Sequence, residues 1–113
     1  MILVSETQTV TLPSVEEIEE QDLDLDSDWN VVLLDDDHHT YDYVIEMLGD
    51  VFGYDVLQAY GFAIEVDMKK RVTLWTGALE RAEAYQKKVH DYGPDWRMDT
   101  SQGSMTAILE PAR

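Results

Sequence analysis

The spacing of apolar and polar residues divides the chain at Trp29. Before it, aliphatic residues stand singly among acids, with one proline, Pro13, and no aromatic. Asp22-Leu23-Asp24-Leu25-Asp26 alternates with the period of a strand, but so acidic a stretch repels itself and has little to bury. Residues 1–28 therefore read as a flexible acidic tail, and residues 29–113 as the folded domain. From Trp29 to Leu34 the chain is short, apolar and β-branched at Val31 and Val32, the pattern of a buried strand. Thr40 is placed to cap a helix over 41–52, in which Tyr41, Val44, Leu48, Val51 and Phe52 share one face. Gly53 ends it. Asp55, with Gln58 three residues on, opens a second helix striped by Val56, Ala59, Tyr60, Ala63 and Val66. Lys69-Lys70-Arg71 is a basic turn, and Val72–Trp75 a second strand. A third helix runs from Gly77 to about Asp91, with Leu79, Ala82 and Val89 inward. A polar loop over Gly93–Gly103 precedes a strand over Ser104–Glu110. The fold class is α+β: a three-stranded, mostly antiparallel sheet packed on three helices, in the order strand-helix-helix-strand-helix-strand.

At 113 residues this is one domain. Charge is distributed unevenly. Nine acids and no base fall in residues 1–28, against fifteen acids and eight bases in the rest, for a net charge of −16. That balance argues against sequence-independent binding of nucleic acid or anionic membrane, both of which need clustered Lys and Arg. It favours a cationic or amine-bearing ligand through the long-range field. The absence of cysteine excludes disulfides and thiolate chemistry, and fits a reducing compartment. No basic leader and no long apolar run is present, so the expected location is the cytoplasm.

The densest polar cluster is Asp35-Asp36-Asp37-His38-His39-Thr40, between the first strand and the first helix. Two His and three Asp suit a metal ion chemically, but adjacent residues diverge and no second, well-spaced ligand pair follows. Carboxylates beside His could serve acid–base catalysis. However, the chain has no glycine-rich phosphate loop and no nucleophile elbow. The residues alone thus suggest a turn and helix cap, with no metal, no cofactor and no enzyme activity. Trp96 lies in a polar loop and is a candidate partner contact.

Three blocks carry a resemblance: Trp29-Asn30-Val31-Val32-Leu33-Leu34-Asp35-Asp36-Asp37, then Tyr43-Val44-Ile45-Glu46-Met47-Leu48, then Phe52-Gly53-Tyr54-Asp55-Val56, with Leu109-Glu110-Pro111-Ala112 at the end. In this register the chain resembles ClpS, the adaptor of the bacterial ATP-dependent Clp protease. The resemblance implies a non-catalytic, monomeric adaptor that binds proteins whose first residue is bulky and hydrophobic. It would deliver these N-degrons to a ClpA- or ClpC-type unfoldase, with the N-terminal extension engaging that unfoldase. Carried over by position, Asp35, Asp36 and Asp67 would hold the free α-amino group. His39, Tyr41, Val44, Ala63, Val66 and Met105 would line the side-chain pocket.

Several of these positions depart from the family pattern. Asp35 stands where the family usually has Asn, and Asp67 where it has His. Tyr41 and Ala63 replace common methionines. Trp75-Thr76-Gly77-Ala78 keeps the aromatic and Thr that open the third helix but lacks the Glu after them. The Gly93–Gly103 loop is longer than the family's usual connection. The alternative implied by these changes is an interaction module of the same fold that no longer binds N-degrons and uses another partner.

Overall fold

The structure, a computed structural model, describes residues 27–112. The acidic segment set apart by the sequence lies almost wholly outside the described residues. Trp29–Leu34 forms strand β1, and its Val31, Val32 and Leu33 are fully enclosed. A strand shielded on both sides belongs in the middle of a sheet. β1 is indeed central, flanked by β2 (Arg71–Gly77) and β3 (Thr106–Pro111) in the order β2-β1-β3. Both pairings are antiparallel, so the sheet is wholly rather than mostly so. Trp29 to Leu34 pairs with Pro111 to Thr106 in unbroken register. Against β2 the register slips between Val31 and Val32, whose partners are Trp75 and Thr73. Leu74 is thus the extra residue of a bulge.

Three helices form where the stripes place them: α1 (Tyr41–Phe52), α2 (Val56–Lys69) and α3 (Leu79–His90). Tyr41, Val56 and Tyr60 of those stripes nevertheless stay exposed, and Leu79 is only half-buried, because the sheet covers a narrower face than the apolar spacing marks out. The Thr40 hydroxyl accepts the Tyr43 N–H at the start of α1, and Gly53 closes that helix at φ 77°. The Asp55 carboxylate accepts the Gln58 N–H at the start of α2. Val31, Leu33, Val72, Leu74, Met105 and Ala107 from the sheet side meet Val44, Met47, Leu48, Ala59, Ala63, Val66, Ala82 and Val89 from the helices in one core.

Boundaries moved where tertiary contacts outweighed local signals. β2 takes in Arg71, Thr76 and Gly77 beyond the expected strand, because Gly77 pairs with Trp29 and Arg71 with Leu34. Consequently α3 starts at Leu79, not Gly77. A Cβ at Gly77 would stand 2.3 Å from the Trp75 ring, a contact only glycine avoids. Ser104 does not start β3; its hydroxyl accepts the Gly93 N–H at 2.6 Å and ties off the loop. The basic turn proves to be a helix end, with Lys70 left-handed at φ 72°.

Candidate functional site

The handover from β1 to α1 forms the floor of a cavity of about 220 Å³. All nine residues singled out in the sequence line it: Asp35, Asp36, His39, Tyr41, Val44, Ala63, Val66, Asp67 and Met105. Asp37, Thr40 and Lys70 complete the lining. Three separate stretches meet here. The loop after β1 leads into α1 and brings Asp35, Asp36 and His39 with Tyr41 and Val44, α2 brings Ala63, Val66 and Asp67, and Met105 approaches just before β3. Val44, Ala63, Val66 and Met105 are buried and make the apolar side. Asp35, Asp36 and Asp67 give the other side its negative charge.

None of the three carboxylates is without an internal contact. Asp35 lies 3.5 Å from the Lys70 ammonium, while its backbone N–H donates to the Lys70 carbonyl at 3.0 Å. Asp36 accepts the His38 N–H at 2.9 Å and lies 2.7 Å from His39 Nδ1. Asp67 accepts the Tyr41 hydroxyl at 2.7 Å. That bond, followed by burial and the nearby charge of Asp67, pushes the Tyr41 phenol up to about 12.

His39 acts as the wall of this site more than as a surface group, for its side chain is only 4% exposed. Nδ1 faces the Asp36 carboxylate and Nε2 lies 2.7 Å from the Gly103 carbonyl. The Ser101 hydroxyl also lies 3.3 Å from Nε2, so the ring is held from the loop side as well. His38 turns the other way, its Nδ1 lying 3.0 Å from the Thr100 hydroxyl. The adjacent histidines diverge, and among the described residues no three His, Asp or Glu side chains could hold a metal ion. Beyond His39, an open hollow of about 600 Å³ is lined by Asp99, Thr100, Gln102 and Ser104, and it shares Asp36 and His39 with the cavity.

Sequence reasoning missed Asp95. It is 1% exposed, the one buried charged residue among those described. Oδ2 accepts the Thr40 N–H at 2.7 Å and the Thr40 hydroxyl at 2.8 Å. Oδ1 accepts the Arg97 N–H at 3.0 Å and its guanidinium at 3.1 Å. Burial pulls this carboxyl's pKa upward, but the bonds from Thr40 and Arg97 outweigh it and hold the group down at about 2. Arg97 continues to Glu46 on α1 at 2.5 Å. Asp95 thus fastens the long loop to the cap of the helix that carries Tyr41 and Val44. Its only trace in the sequence is an acid after Gly93-Pro94, which reads as an ordinary turn.

The family model of the ATP-dependent Clp protease adaptor protein ClpS matches residues 24–95. Among solved structures, the chain is similar to that of Agrobacterium tumefaciens ClpS2 bound to L-phenylalaninamide. The two superpose with a TM-score of 0.65 at 19% identity, covering 75% of this chain and 96% of the other, a likeness of fold. No curated protein matches significantly.

Proposed function

The chain belongs to the ClpS family of ATP-dependent Clp protease adaptors, and from that premise we propose that it reads the first residue of its substrates. The carrying observation is the two-sided cavity. One side gathers the carboxylates Asp35, Asp36 and Asp67, and the other the apolar Val44, Ala63, Val66 and Met105, within about 220 Å³. A free N-terminus has the same two parts, an ammonium donor and a side chain one atom away. Charge-assisted hydrogen bonds hold the first and desolvation holds the second. L-phenylalaninamide, named with the similar ClpS2 structure, has this chemistry: a free α-amine beside a benzyl group. The mechanism is binding alone, followed by hand-over to a ClpA- or ClpC-type unfoldase. The acidic segment 1–28 would engage that unfoldase.

Fluorescence anisotropy with four peptides differing only at residue one tests this. Leu and Phe peptides bind, and N-acetyl-Phe does not, because acetylation removes the cation. Binding of an Arg peptide in their place would mean the acidic side has redirected specificity. No binding to any of the four rejects N-degron reading.

A second reading rests on Trp96, which is 81% exposed and has the Arg97 guanidinium 4.6 Å above its ring. An exposed tryptophan on a fastened loop is the kind of side chain that anchors protein interfaces. In this reading the fold serves a different partner through that loop. Trp96→Ala would abolish partner capture while leaving peptide binding unchanged.

A further inference from the structure

We propose that Tyr41 is a latch on the amine site: its hydroxyl stands on Asp67 in the free protein, and a substrate ammonium must displace it. This rests on the reading of the cavity as an N-terminus site. Tyr41 begins α1 and Asp67 lies near the end of α2, so their 2.7 Å bond joins two helices across the cavity lining. Tyr41 is 37% exposed, and its ring meets Tyr60 of α2 edge-on at 6.1 Å. The side chain therefore has room to leave. The groups facing it are Asp67 and Tyr60 on α2 and Asp35 after β1, and none of them is a cation. Removing its bond to Asp67 leaves that carboxylate needing a donor.

A phenol is a neutral donor and an ammonium a charged one, which makes the stronger bond to a carboxylate. The exchange therefore favours ligands with a free amine. A ligand offering only a neutral amide N–H gains little from replacing one neutral donor by another. The latch thereby makes Tyr41 a determinant of which N-termini the site accepts. It also lowers affinity, since each ligand gains only the difference between its own contact and the one it breaks.

The experiment is anisotropy titration of the full chain and its Tyr41→Phe variant with a Phe-initiated peptide. Tyr41→Phe removes one oxygen from a partly exposed side chain and leaves the fold intact. The variant binds about 2- to 10-fold more tightly, the size of one net hydrogen bond. In an Asp67→Ala background the same substitution gives no gain, because the bond it releases is already gone. Equal or weaker binding by Tyr41→Phe overturns the latch and makes the hydroxyl a direct ligand contact or a bystander.

A second measurement separates the latch from the peptide reading. The Tyr41 ring-carbon resonance, titrated by NMR without ligand, moves back toward the ordinary phenol range in Asp67→Ala. If no peptide binds either protein while that resonance moves, the latch bond exists but guards no N-terminus site, and both the N-degron reading and the latch's role in it fail. If peptide binds and the resonance does not move, N-degron reading survives and the latch is rejected.

Discussion

At the scale of single residues, Asp95 decides more than its place in the sequence suggests. Each of its oxygens takes two donors, two from Thr40 and two from Arg97. Asp95→Ala strands the Thr40 N–H and should cost about 1–3 kcal/mol, the range for a buried polar group left without its partner. Urea unfolding measures this directly. The pH dependence has a definite sign. The folded carboxyl is held at about 2, below the ordinary aspartate value of 3.8. Its stabilisation is therefore fully present above about pH 4 and is lost as pH falls through 2. Asp95→Asn should flatten that acid limb of the stability curve and leave the neutral region as its plateau. Such a residue gives no signal in a linear reading, because its donors lie 55 residues away at Thr40 as well as nearby. By contrast, the cap at Thr40 was legible, since capping is chemistry among residues three apart.

At the scale of elements, the three helices differ in how they begin. α1 and α2 have side-chain caps, Thr40 and Asp55. α3 has Ala78 at that position, with extended dihedrals and no side-chain cap bond. Ala78→Ser should therefore stabilise the protein by about 0.5–1 kcal/mol, read as a raised thermal midpoint. Helix content was readable because apolar residues recur at helical spacing over twelve or more positions. The ends of β2 and α3 were not, because Gly77 looks like a breaker in sequence and becomes a strand residue only by pairing with Trp29. Nor could spacing reveal the bulge at Leu74, which places both Leu74 and Trp75 against the core.

At the scale of the whole molecule, the net charge of −16 acts as a field rather than as a set of contacts. Like charges crowded on a small chain oppose compaction, and salt screens them over about 10 Å at 0.1 M. Raising NaCl from 20 to about 500 mM should raise the thermal midpoint, and should slow association with a cationic peptide. A salt-independent association rate would show that steering by the field is negligible. The amino-acid sequence by itself determined the order of elements, the caps of α1 and α2, the buried positions Val44, Leu48, Ala59, Ala63, Val66, Ala82 and Val89 of the helix faces and the concentration of acid around β1. These follow from local periodicity and from residue types that act on near neighbours. It also carried the nine cavity residues, but only through resemblance in register, since nothing local says that Asp67 and Met105 lie beside Asp35. Only the tertiary structure decided that each of the three carboxylates already has an internal contact, that Tyr41 closes on Asp67, and that Asp95 fastens the loop. Those facts depend on the docking of segments tens of residues apart, where the position of each side chain is set by the packing of the whole core.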